Sequence, residues 1–290
     1  LWIITLFTLN FWFAFKAFKD FFKNNILAAV GAYIFAFGLF NLGEFDQIQV
    51  FPRFMIPLIF YWLYQFLYDG KAKYFQLACF GLVFQFYCGI YLGLFTVLIG
   101  LIFLICSLLT NSSKPFFQAF QTKKSVFKIL GSSFILMLAL LPLIIPYAEA
   151  SKELGKHAVG DILTSIPTLK SYILPFPNAK IWGQILLSPH HMGGLSLQFL
   201  FPGILILLSV LITPFVLINN NIQKRKKLLV PYISLLIFIL ITTNINGFNL
   251  YKYLPELPGF SSIHVINKII NTQILFFILI FGYSITLISN

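Results

Sequence analysis

Apolar runs long enough to cross a lipid bilayer follow one another along the whole chain, and the basic residues collect between every second pair of them. Lys16, Lys19 and Lys23 follow the first run, and Lys71 and Lys73 the third. Lys114, Lys123, Lys124 and Lys128 follow the fifth, and Lys224, Arg225, Lys226 and Lys227 the seventh. The acids Glu44, Asp46, Glu149, Glu153, Asp161 and Glu256 take the alternate gaps. A helix of about 20 apolar residues spans the hydrocarbon core, because it satisfies every backbone N–H and C=O without water. Lys and Arg stay on the cytoplasmic side during insertion, so the alternation assigns the basic connections to the cytoplasm and the acidic ones to the outside. The expected fold class is all-α: a polytopic transmembrane helical bundle of about nine spans in the inner (cytoplasmic) membrane.

Composition excludes most other classes. The chain is 59% hydrophobic and 10% charged, against roughly 25% charged in a soluble domain. Its net charge of +12 is dispersed over short connections. That distribution fits topology determinants and contacts to anionic membrane lipids, and it argues against nucleic acid as a partner. Cys79, Cys88 and Cys106 lie inside apolar runs without metal-ligand spacing and read as free buried thiols. No basic n-region or cleavage site accompanies the apolar start at Leu1, so the chain is expected to begin partway through a larger membrane protein.

The expected spans are Leu1 to Phe15, Ile26 to Gly43, Phe54 to Tyr68, two within Leu77 to Leu109, Val126 to Tyr147, Leu197 to Ile218, Leu229 to Asn244, and Ile269 to Ile288. Gly89 and Tyr91 mark the outer turn that divides the fourth block. No repeat or linker interrupts the series, so residues 1–290 form a single membrane domain with one large outer loop at 148–196. Within that loop, Leu154, Val159, Ile162, Leu163 and Ile166 recur at helical spacing and predict an interfacial amphipathic helix over Glu149 to Ile166. Polar residues inside the spans, among them Asn10, Gln85, Ser132, Ser133 and Thr242, are uncharged. Ion-coupled transport needs an ionisable group at that depth, so its absence argues against a pump or ion-driven carrier.

Chemistry is then expected on the outer loops. Glu44 and Asp46 stand two residues apart on a short loop and suit a general base or a divalent-cation site, with Arg53 behind them as a phosphate partner. A solvated turn with Arg53 among the headgroups is the alternative. In the large loop, His190 and His191 form a pair without a placed carboxylate, a weak metal signal. The last loop carries Leu254-Pro255-Glu256-Leu257-Pro258-Gly259 and then His264 and Lys268, cations at the membrane rim that suit a lipid phosphate or simple snorkelling.

The order of these loops resembles the GT-C class of multi-span membrane glycosyltransferases, in particular its mannosyl- or arabinosyltransferase-like bacterial members. The likeness rests on Ala28-Ala29-Val30 through Phe35-Ala36-Phe37, Phe45-Asp46-Gln47-Ile48-Gln49 with Pro57-Leu58, Pro146-Tyr147 with Asp161 and Ser165, Phe199-Leu200-Phe201-Pro202-Gly203, and Pro258-Gly259-Phe260-Ser261-Ser262-Ile263-His264-Val265. Gln198 stands where an acid is expected and His264 where an arginine is expected. The resemblance implies inverting transfer of a sugar from a polyprenyl-phosphate donor to a glycan or lipid acceptor on the outer face. It casts Glu44 and Asp46 as catalytic. Arg53, His264 and Lys268 become the phosphate side, and Asp161 a loop-ordering or substrate-contacting acid. A divalent cation is the one candidate cofactor. A lipid-linked glycan flippase and a non-catalytic membrane scaffold are the other readings of the same residues.

Overall fold

The computed structural model describes residues 1–43, 47–110, 114–154, 165–177, 179–186, 198–219, 221–257, 259–260, 263 and 265–289. Among the described residues the regular structure is helical, with only isolated bridges at Thr168–Asn244 and Ile245–Phe248. Helices α1 (Trp2–Phe22) and α2 (Asn25–Phe37) form a hairpin closed by Lys23 in the left-handed conformation. Asn24 Oδ1 accepts from the N–H groups of Ile26 and Leu27 at 2.9 and 3.1 Å. It thereby satisfies two of the four donors that a helix start leaves open. Next come α3 (Met55–Asp69), α4 (Ala72–Cys88) and α5 (Ile90–Leu109), and the α4–α5 break falls at Gly89 as the sequence predicts. Gly70 closes α3 with φ +68°, and a Cβ there would strike the Pro115 carbonyl of the short helix α6 (Lys114–Ala119). Only glycine meets both demands. The chain continues through α7 (Lys123–Leu154), α8 (Trp182–Leu186), α9 (Ile204–Ile218), α10 (Ile222–Thr242) and α11 (Ile270–Ile288).

The core is built around α11. Ile274, Leu275, Phe276 and Ile278 are fully buried on successive faces, as a helix apolar all round requires. Phe276 meets Phe60 of α3 edge-on at 5.0 Å between ring centroids and Phe103 of α5 at 5.8 Å. Small residues bring the backbones close on the other side: Gly282 lies under the Phe22 ring, and a Cβ on Gly31 of α2 would stand 2.8 Å from Ile278.

Each expected run overlaps a helix, although residues 198–203 of the run Leu197 to Ile218 are irregular and Leu197 lies outside the described residues. Fewer helices than expected have the dimensions of a crossing. Ile48–Asp69, Ile90–Leu109, Lys123–Ala150 and Ile266–Ile288 are long and apolar enough to cross a membrane, and Asn25–Asn41 and Ile204–Ile218 are apolar but shorter. The protein is thus a helical membrane protein with four full-length candidate spans among the described residues, where the sequence predicts about nine. Part of the difference lies at the helix ends. Lys16 and Lys19 belong to α1, and Lys224 to Lys227 to the first turns of α10, so these basic connections are themselves helical and dilute the apolar stretch. Lysine favours helix, and continuing the helix keeps the backbone satisfied at the membrane border.

Helix α7 stands apart. Only 11% of its most apolar window is buried, and Phe134, Ile135 and Met137 are each more than 60% exposed. Apolar surface on this scale is at home in lipid rather than water. Its main tie is to α4, where the Tyr87 hydroxyl donates to the Ala139 carbonyl at 2.8 Å. Pro142 and Pro146 lie inside the helix without ending it. The Glu149 to Leu154 stretch continues α7 instead of opening a separate interfacial helix, and residues 155–164 lie outside the described residues.

Candidate functional site

Between α2 and α3 the chain is irregular, with 3-10 turns at Leu39–Gly43 and Ile48–Val50. Irregular backbone inside an apolar bundle must find its partners within the protein. Three buried side chains meet that requirement. Asn10 of α1 donates to the Phe51 carbonyl at 2.8 Å and accepts from the Arg53 N–H at 3.3 Å. Gln85 of α4 donates to the Pro52 carbonyl at 3.0 Å. Arg53 itself, 0% exposed, donates through Nη2 to the Phe35 carbonyl at 2.6 Å and through Nη1 to Asn271 Oδ1. Phe35 lies in the last turn of α2, where carbonyls lack helical donors and a cation meets the negative end of the helix dipole. The guanidinium also lies over the Phe40 and Phe35 rings, at 4.8 and 5.3 Å from their centroids.

Asn271 extends this network by donating to the Lys268 carbonyl at 3.1 Å, and Lys268 is 2% exposed. The structure therefore brings together two of the sequence-predicted site residues, Arg53 and Lys268, and buries both. The segments that lead into Arg53 and Lys268 contribute Val50 and Val265 to a cleft of about 390 Å³, whose walls also include Gln47, Gln49, Gly89, Tyr91 and Tyr147. Its amides and phenols can hydrogen-bond hydroxyl groups, and its aromatic faces can cover an apolar ring face. Gln47 follows Asp46 in the chain, and Val265 follows His264. Glu44, Asp46, Asp161 and His264 themselves lie outside the described residues, as does the His190–His191 pair. Among the described residues no group of three or more His, Cys, Asp or Glu side chains could hold a metal ion.

A second polar network holds the described part of the long loop. The Tyr172 hydroxyl donates to Gln273 Oε1 at 3.0 Å and lies 3.5 Å from the Thr243 hydroxyl. Burial pushes the Tyr172 phenol up to about 12, against the opposing pull of its bonds to Thr243, Gln273 and Thr242. The Asn244 N–H donates to the Pro167 carbonyl at 2.8 Å, so this part of the loop is anchored on α10 and α11. Sequence reasoning assigned no role to Asn271 or Gln273. The signal was present as the polar triplet Asn271-Thr272-Gln273 at the head of the last apolar run, all three 0% exposed. The chain matches no protein-family model, no curated protein and no solved structure.

Proposed function

We propose that this chain is the membrane part of an inverting GT-C-type glycosyltransferase, which moves a sugar from a polyprenyl-phosphate donor to a glycan or lipid acceptor on the outer face of the inner membrane. The observation that carries this reading is the 390 Å³ cleft, walled by the chain neighbours of Asp46 and His264 and adjoined by segments that bear the buried cations Arg53 and Lys268. Lys71 and Lys73 stand at the start of α4 and the cleft residue Gly89 at its end, so the positive-inside rule turns the cleft outward. In this reading the shorter and more polar helices also cross, fitted to the bilayer by their packing against neighbours.

The chemistry follows from charge. Asp46 or Glu44 takes the proton of the acceptor hydroxyl as its oxygen attacks the anomeric carbon. The bond from that carbon to the donor phosphate breaks, and the phosphate leaves with the electron pair. Positive potential from Arg53, Lys268 and His264 stabilises the departing anion, and the nearby carboxylates favour the oxocarbenium-like transition state. Arg53 acts through its field and by fixing the α2–α3 connection, since it is 0% exposed. Asp161 orders the long loop or contacts substrate.

The test is transfer by the full-length protein in membranes supplied with radiolabelled polyprenyl-phosphate sugars. Transfer is expected, with Asp46→Asn abolishing it. Failure of every donor with demonstrably folded protein would overturn the reading. Transfer that survives chelation of divalent cations would assign Glu44 and Asp46 to base chemistry rather than to a metal. A non-catalytic scaffold is the second reading, favoured by one observation: the described part of the long loop is anchored on α10 and α11, and none of its described residues lines the cleft.

A further inference from the structure

At the far end of α4 from Gly89 lies a second cleft, of about 520 Å³, formed by the α3–α4 turn, α6 and the start of α7. Lys71, Lys73, Lys124 and Lys128 line it against a single acid, Asp69. Lys71 is spoken for, with its Nζ 3.7 Å from Asp69 Oδ2. The other three lysines leave a strong positive excess. The first turns of α4 and α7 open on the same space, and Lys71 at the N-cap of α4 gives no side-chain capping bond. Backbone N–H groups at a helix start favour an anion. The cleft is a built feature: Phe66, Ala72, Ala119 and Ile129 form a small core of their own, with Phe75 and Phe116 packed against it.

An apolar groove of about 340 Å³ lies between α3, α4, α5 and α7, lined among others by Leu63, Phe75, Leu82, Leu104 and Met137. The same two helices carry both features in succession. On α4 the cleft takes residues 71–73 and the groove 75–82; on α7 the cleft takes 124–128 and the groove 133–137. At 1.5 Å per residue the distance from Lys73 to Leu82, or from Lys128 to Met137, is about 14 Å, close to half the hydrocarbon thickness of a bilayer. A charged cleft at the membrane border with an apolar channel of one leaflet's depth below it has the shape and polarity of a lipid.

We infer that the α4–α7 cleft and groove together bind an anionic phospholipid, with its phosphate among Lys73, Lys124 and Lys128 and an acyl chain along the groove. Free phosphate would use the lysines but would leave the groove empty. The inference is independent of the glycosyltransferase reading, since it concerns the opposite end of the bundle.

Native mass spectrometry of the detergent-purified full chain, titrated with phosphatidylglycerol or phosphatidylcholine of matched acyl chains, tests it. Phosphatidylglycerol is expected to bind more tightly, and Lys124→Gln with Lys128→Gln to reduce its affinity about thirtyfold, at the usual contribution of a lysine near an anionic headgroup. Both lysines are exposed, so the double variant keeps its fold, which an unchanged unfolding midpoint checks. Gly100 borders the groove, and a Cβ there has only Phe60 Cζ as a neighbour, at 3.9 Å. Gly100→Leu is therefore expected to fill the groove and weaken binding of both lipids. Equal affinity for the two lipids, or an unchanged preference in the double lysine variant, overturns the inference. So does displacement of phosphatidylglycerol by millimolar inorganic phosphate together with no effect of Gly100→Leu, which would make the cleft a site for free phosphate.

Discussion

Arg53 carries a full positive charge into the protein interior, and its surroundings explain why it can stay there. The Phe35 carbonyl and Asn271 accept its N–H groups, and two aromatic faces lie against the guanidinium. Arg53→Ala leaves those two buried acceptors without their donor. A loss of roughly 3 kcal/mol is expected, at about 1–3 kcal/mol for each unsatisfied group, read from the unfolding midpoint in detergent. Arg53→Lys is expected to restore little of it, because a single ammonium cannot reproduce the planar fork. Tyr172 makes a pH-dependent prediction. Its phenol is pushed up to about 12 in the fold, from 10.0 for an unperturbed tyrosine. The neutral phenol is thus the form the fold accepts, and its stabilising contribution is complete below pH 10 and is lost as pH rises from 10 to 12. Two pH units correspond to roughly 3 kcal/mol. Tyr172→Phe should abolish this part of the alkaline loss, seen as a smaller fall in unfolding midpoint between pH 9 and pH 12. At this scale the sequence was half legible. The chemical types of Arg53 and Lys268 marked them as candidates, but their burial depended on Asn10 and Asn271, partners separated from Arg53 by 43 and 218 positions. No local pattern encodes such a pairing.

Two helices of similar apolar content have opposite surroundings. In α11, 83% of the most apolar window is buried, and in α7 only 11%. Equivalent truncations should therefore differ in effect. Ile274→Ala in α11 opens a cavity in the core and is expected to cost about 2–5 kcal/mol. Ile135→Ala in α7, where the side chain is 65% exposed, should shift the unfolding midpoint hardly at all, by about 0.5 kcal/mol or less. Composition could not separate the two, since a lipid-facing helix and a central helix are both rich in Ile, Leu and Phe. The surrounding small residues carry more information: Gly31 and Gly282 lie where helices meet closely. The helix boundary at Gly89 was legible because a breaker stands there, and the boundaries at the lysines were illegible, because the lysines continue the helices they were expected to terminate.

The whole molecule has two chemically different ends, an amide- and phenol-lined cleft adjoined by segments that bear buried cations and a cleft lined with lysines. Their assignment to opposite sides of the membrane is open to direct measurement. Gln47→Cys should react with a membrane-impermeant maleimide applied to intact spheroplasts, and Lys73→Cys only after permeabilisation. Cys79 and Cys106 are buried and should contribute little background, whereas Cys88, expected to be buried, is only half-buried beside Gly89 and is replaced by Ser in both variants. The all-helical class and the order of apolar segments were legible in the sequence because hydropathy reports them directly. The number of full-length spans was not, because it depends on where each helix stops relative to its charges. The Arg53–Asn271 contact also sets a timetable for biogenesis. The two residues are 218 positions apart, so at about 5–20 residues per second the ribosome delivers Asn271 some 10–40 s after Arg53. Throughout that interval the guanidinium must be sheltered without its helix-α11 partner. Helix α11, synthesised well after Arg53, is thus the segment that locks the α2–α3 connection into place, and a chain stopped just short of Asn271 should be a preferred substrate for membrane quality-control proteases.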